Sequence, residues 1–104
     1  KVFIMVVYIF AYEDSYNGLH GIYDADVVEV QDIEEANEYG YEMALGVVES
    51  YGYCLDEDED IEQGLEWRIY KIKEGISAEE ARAAAALHDK EGFVAEYCED
   101  EVLN

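Results

Sequence analysis

The chain has no proline and no threonine, only three serines and two cysteines, and just six lysines and arginines in 104 residues. Without proline or any Gly/Ser-rich stretch nothing marks a linker, and no segment repeats, so residues 1–104 read as one domain. Cys54 and Cys98 are too few for a disulfide framework. They read as two reduced, partly buried thiols, with their pairing left open. No run reaches the ~20 apolar residues needed to cross a bilayer, and an anionic membrane surface would repel the chain. The apolar opening, Lys1-Val2-Phe3-Ile4-Met5-Val6-Val7-Tyr8-Ile9-Phe10, superficially looks like a signal peptide. It is rich in β-branched and aromatic residues and no small-x-small cleavage site follows, so it reads as a buried strand of a cytoplasmic protein.

The same scarcity argues against catalysis. Of Ser15, Ser50 and Ser77, the last is accounted for as a helix cap, and no nucleophile-elbow or phosphate-loop glycine pattern occurs. His20 and His88 lie far apart, without a metal-ligand partner at a familiar spacing. Asp56-x-Asp58-x-Asp60 resembles the first half of an EF-hand loop. Its sixth position, however, is Ile61 where the turn needs glycine, and its twelfth is Trp67 where the ion needs Glu. Carboxylates are so common here that any pair of them says little about acid–base chemistry. Six basic residues are a poor supply for holding phosphates, and direct nucleic-acid binding is disfavoured by repulsion. The expectation is a protein that is not an enzyme and carries no metal or cofactor.

What the chain does have is acid. Asp and Glu number 27 and the net charge is -21, yet 51% of the residues are hydrophobic, ten of them tyrosines. A chain this apolar is not disordered and can bury a modest core. Concentrating like charge on a small domain costs stability through self-repulsion, so the charge is expected to serve a purpose.

Residues 2–12, nearly all apolar, suit a central strand covered on both faces. Residues 13–18 contain Asn17-Gly18 and read as a turn. Residues 22–30 read as a second strand, hairpin-paired with the first, with Val28 and Val30 on one face and Glu29 on the other. Asp32 with Glu35 makes a capping-box-like start to a helix. Ile33, Ala36, Gly40, Met43, Ala44, Val47 and Tyr51 form its buried stripe, and Gly52 ends it. An acidic loop spans 55–64. A strand follows over 65–73, with Leu65, Trp67, Ile69 and Lys71 on one face and Glu66, Arg68, Tyr70 and Ile72 on the other. Ser77-Ala78-Glu79-Glu80 opens an alanine-rich helix expected to run to about Lys90 and stop at Gly92. Residues 93–98 fit an edge strand or a resumed helix equally well. The expected fold is α+β, in the order β-β-α-β-α with room for a final strand. It has an antiparallel or mixed sheet of three to four strands and two helices packed on one face.

The acids are ordered along this framework. Glu35, Glu38, Glu42 and Glu49 follow helical spacing and make one row opposite the apolar stripe, flanked by Glu34. At ~1.5 Å rise per residue the row is about 20 Å long. No Lys or Arg lies between Lys1 and Arg68 to relieve it. The loop Asp56-Glu57-Asp58-Glu59-Asp60 adds five consecutive acids, and Glu96, Glu99, Asp100 and Glu101 follow near the end. Tyr39 and Tyr41 sit beside the row. Tyr41, on the helix's polar side, is the candidate contact residue, since tyrosine offers contact area at little entropic cost.

In size, acidity and the lack of a catalytic constellation, the chain resembles the DNA-mimic inhibitors of bacteriophages and mobile elements, the anti-CRISPR and anti-restriction proteins. The resemblance is one of overall character, without an aligned motif. It implies a protein of the bacterial host cytoplasm that occludes the basic DNA- or RNA-binding channel of a defence nuclease. The partner would be a basic nucleic-acid-binding protein, with a homodimer of the chain left open. Glu34, Glu35, Glu38, Tyr41, Glu42, Glu49 and residues 56–60 would make the contact. Three other readings stand beside it: an acidic adaptor that docks a basic protein without imitating DNA, for instance by adding an edge strand; a small metal-assisted enzyme, which would hold a tightly bound divalent ion; and a halophile-adapted domain, which would unfold at low salt. Glu outnumbers Asp by 18 to 9.

Overall fold

A strand whose residues are apolar on both sides of the pleat has no face to give to water, and must be covered above, below and along both edges. The computed structural model, which describes residues 4–13, 23–50 and 65–102, meets that demand. Strand β1 (Met5–Glu13) lies inside a four-stranded antiparallel sheet with β2 (Tyr23–Val30), β3 (Leu65–Ile72) and β4 (Cys98–Val102), in the order β2-β1-β3-β4. Tyr8 stands opposite Val27 on one neighbour and Tyr70 on the other, and Val7 opposite Val28 and Lys71. The antiparallel pairing of β1 with β2 is the expected hairpin arrangement. Its turn at 14–18, the helix end at Tyr51 and Gly52, and the loop at 55–64 with Cys54 lie outside the described residues.

The α+β class, the single small domain and the four-stranded sheet are as expected; the placement of the helices is not. Helix α1 (Ile33–Ser50) covers one face of the sheet, where Ala36 packs with Val7, Ile9, Val28, Val30 and Ile69. Helices α2 (Ala78–Leu87) and α3 (Lys90–Tyr97) cover the other, where Ala81, Ala84 and Phe93 pack with Tyr8, Val27 and Ile72. The helices are thus divided between two faces instead of sharing one. The cause is the double-sided apolarity of β1: Val7, Tyr8 and Ile9 are all buried, and one helical layer can cover only every second one of them.

Local chemistry fixes each helix. The Glu35 N–H donates to Asp32 Oδ1 at 2.9 Å, while the Glu35 carboxylate accepts the Gln31 N–H at 2.6 Å. This capping box reaches one residue further back than usual. The predicted stripe holds: Ala36, Gly40, Ala44 and Val47 are buried, and Ile33 and Met43 half-buried. Gly40 sits mid-helix for a packing reason. A Cβ there would lie 2.2 Å from Cδ1 of Trp67, so the indole of β3 occupies the space a side chain would need. Trp67 Nε1 donates to Asn37 Oδ1 at 3.0 Å, and Asn37 Nδ2 donates back to the Ile33 carbonyl at 3.2 Å.

The second helix is shorter than expected. Ser77 Oγ accepts the Glu80 N–H as predicted, but α2 ends at Leu87, and His88 turns out into extended backbone. Asp89 then caps a new helix by accepting the Gly92 N–H at 2.6 Å. Gly92 therefore does not stop a helix; it belongs to the first turn of α3, where a Cβ would stand 2.7 Å from Asp89 Oδ1. Residues 93–97 continue α3, and strand β4 starts at Cys98. Phe93 is fully buried, its ring 4.6 Å from Tyr8 and 5.1 Å from Tyr97.

Both edges of the sheet are blunted. On β2, the Val27 N–H is taken by Asp26 Oδ1 at 2.8 Å and its carbonyl by Arg82 Nε at 3.0 Å. On the far side β4 is five residues long, irregular in register, and carries Glu99, Asp100 and Glu101. Short, charged and bulged edges resist pairing with another strand.

Two substitutions check the α1–β3 contact. Gly40→Ala is expected to destabilise the fold by about 1–3 kcal/mol through overpacking against Trp67. Gly46→Ala, where a Cβ meets nothing within 4 Å, is expected to stabilise it by up to ~1 kcal/mol. Urea denaturation of the two variants measures both. Burial also raises the Tyr8 hydroxyl from 10.0 to about 12 and the Cys98 thiol from 9.0 to about 11. Both groups favour the folded state as neutral species, so the contribution is complete below pH 9.0 and lost as pH rises through roughly 9 to 12. Folding stability is expected to fall across that alkaline window, and more gently in Tyr8→Phe; an equal fall in that variant would exclude Tyr8 as a source.

Candidate interaction surface

Helix α1 carries its apolar stripe toward the sheet and therefore its acids away from it. Glu34, Glu35, Glu38, Glu42 and Glu49 are all exposed, and no basic residue occurs on the helix. The structure brings three of them into one place. Glu35, Glu38 and Glu42 line a cleft of about 560 Å³ between α1 and the first half of β2, closed on the strand side by Asp24 and Asp26. Five carboxylates from two elements thus border one cleft, with Tyr39 and Met43 and no Lys or Arg among its described lining residues.

Asp24 and Asp26 were not among the residues singled out from the sequence, though the signal was present. Side chains alternate along a strand, so Asp24, Asp26, Val28 and Val30 share one face. Once Val28 and Val30 are assigned to the α1 side, the two aspartates follow. They lie near the edge, past the reach of the buried stripe, which is why carboxylates are tolerated there. Asp26 also accepts the Val27 N–H, so its side chain is held in place.

The remaining expected contact residues are distributed differently. Glu49 continues the row two turns beyond Glu42, about 10 Å along the helix axis. Glu34 lies about 100° around the helix from Glu35, on the flank shared with Tyr41. Tyr41 is exposed and stands edge-on to Trp67, with ring centroids 6.2 Å apart, so part of its surface rests on the helix–sheet seam. Tyr39, 44% exposed, is the tyrosine that lines the acidic cleft. Residues 56–60 lie outside the described residues. Glu96 falls on α3, and Glu99, Asp100 and Glu101 on β4.

The chemistry of the cleft is that of a charge array. Among the described residues, no three acids, histidines or cysteines converge closely enough to hold a metal ion. Every acidic side chain whose burial is described is exposed to water. Such a surface attracts Lys- and Arg-rich partners over long range, and an exposed tyrosine beside carboxylates suits an incoming guanidinium. No described helix is long and apolar enough to cross a membrane.

The array depends on α1 starting where it does. Asp32→Ala removes the cap and is expected to cost about 1 kcal/mol, with Asp32→Asn close to neutral; thermal denaturation of the pair would show it. Comparison with protein-family models, with curated proteins and with solved structures gave no match.

Proposed function

We propose that the chain is a protein inhibitor that imitates the charge of nucleic acid and occludes the basic DNA- or RNA-binding channel of its target, such as a CRISPR or restriction nuclease. The observation that carries this reading is the cleft in which Glu35, Glu38 and Glu42 of α1 meet Asp24 and Asp26 of β2 with no described base among them. A helix made only to be soluble mixes both signs of charge. Here like charges repel at helical spacing, each pair costing a few tenths of a kcal/mol, and the frame beneath is built to hold them. Trp67 seats against Gly40, Asp32 caps the first turn, and Asp26 is fixed by the Val27 amide.

A target lined with Lys and Arg would be steered onto this surface by the same field that steers it to DNA. Occlusion then requires only that the rigid acidic face enter the channel and exclude the nucleic acid; no bond is made or broken. The blunted edges of β2 and β4 support this mode over docking by strand addition, which needs a row of unpaired backbone groups. Attraction between exposed charges weakens as salt shortens their range, so inhibition should be strongest at low ionic strength, where a halophile-adapted domain would unfold.

The variant Glu38→Lys/Glu42→Lys tests the assignment. Both residues are exposed, so the fold should survive. Like-charge contacts with a basic channel cost several kcal/mol, and capture of the target from bacterial lysate at low salt should weaken by about 100-fold or more. Undiminished capture by a folded variant would exclude the α1 row as the decoy.

A further inference from the structure

Among the described residues, the helices cover the face of the sheet away from α1 only in part. Strand β1 is about 30 Å long at ~3.3 Å per residue, whereas the ten residues of α2 span about 15 Å. Together α2 and α3 close over Tyr8 and Phe93. Beyond them Phe10, Tyr12 and Tyr70 line an open groove of about 1080 Å³, room enough for a drug-sized molecule. Phe10 is the hub of that floor, 6.0 Å from the rings of Tyr8 and Tyr12 and stacked at 6.1 Å on Tyr70.

The chain's scarce positive charge gathers here. Arg68, Arg82 and Lys90, three of its six Lys and Arg, line the groove together with His88. Arg68 lies beside Tyr12 and Tyr70, whose hydroxyls fasten its proton more firmly, and its guanidinium stands 5.6 Å from the Tyr12 ring centroid, while the Tyr12 hydroxyl donates to Glu66 Oε1 at 3.0 Å. Arg82 is tied to β2 through the Val27 carbonyl at 3.0 Å, one of its five N–H donors. Strands β2 and β3 flank β1, so Arg68 and the Val27 carbonyl that holds Arg82 lie on opposite sides of it, Arg68 across from Phe10 and Val27 across from Tyr8. Three acids also line the groove, Asp26, Asp89 and Glu91. In two of them a carboxylate oxygen is occupied by a backbone amide, Val27 N–H for Asp26 and Gly92 N–H for Asp89.

We propose that this groove binds one small planar anion, its aromatic ring laid on Phe10 and Tyr12 and its carboxylate, phosphate or sulfonate set between Arg68 and Arg82. Guanidinium forks match such acid groups in geometry as well as charge, and aromatic floors bind planar rings by offset stacking. A polymeric nucleic acid fits less well, since it would have to run its remaining phosphates over the acidic surface. The groove adjoins the charge-mimicking cleft at Ala25 and Asp26 on the β2 edge, but Glu35, Glu38 and Glu42 line only the cleft.

The test is a fluorescence titration with 8-anilinonaphthalene-1-sulfonate, set against neutral N-phenyl-1-naphthylamine, at near-physiological salt. On the wild-type chain the sulfonate should bind saturably at one site, about tenfold or more tighter than the neutral dye. In Arg68→Gln/Arg82→Gln, checked for an unchanged melting temperature, that preference should disappear. The Glu38→Lys/Glu42→Lys variant should bind the sulfonate as the wild type does, which separates this site from the acidic face. Equal affinity of the wild type for both dyes, an absence of saturable binding, or tighter binding of a short single-stranded oligonucleotide would each overturn the proposal. The comparison of dyes on the wild type needs no variant to fold.

Discussion

The structure depends on a strand that cannot face water on either side. Val7 and Ile9 on one side of β1 and Tyr8 on the other are buried, and every other element is placed by the need to bury them. Strands β2 and β3 satisfy its backbone on both edges; α1 covers one face and the α2–α3 pair the other. A single layer of helices would have left half of its apolar side chains in solvent. Burying such a side chain contributes about 1.5–3 kcal/mol, which is what allows a small domain to tolerate a net charge of -21.

That charge is distributed in a way that follows from the layers. Each acidic side chain described is exposed, and both faces of the sheet carry acids, Glu79, Glu80, Glu91 and Glu96 among them on the α2–α3 side. On the α1 side five carboxylates gather at the α1–β2 cleft. The other side holds an aromatic floor and half of the chain's Lys and Arg. Arg82 and Asp26 at the edge of β2 form part of the boundary between them, and in doing so they occupy backbone groups that would otherwise invite another strand.

Much of this was legible in the residues. The apolar run of β1, the alternation in β3, and the caps at Asp32 and Ser77 located most elements, and the i, i+3, i+4 spacing of Glu35, Glu38 and Glu42 placed them on one exposed face. The side of the sheet that each helix would take was not legible, because a strand apolar on both sides gives no preference. Glycine commonly ends helices, but at Gly92 the overriding signal is Asp89 three residues earlier, a cap that restarts one. Asp24 and Asp26 do not stand out, because two isolated acids in a strand look like ordinary surface. Only their shared parity with Val28 and Val30 ties them to the α1 row. The groove was beyond reach, since it arises from a mismatch between the lengths of α2 and β1 and from bringing Arg68 and Arg82 together across 14 positions of sequence.

The central claim is that the acidic face occupies the place of nucleic acid on a basic partner. Its most direct test is to load the captured partner with fluorescent duplex DNA at low salt and titrate in the chain, following polarisation. Mimicry predicts that the duplex is released in proportion to chain bound, with mutually exclusive occupancy and an affinity that falls steeply as salt rises. A stable ternary complex, in which duplex and chain sit on the partner together, would contradict it.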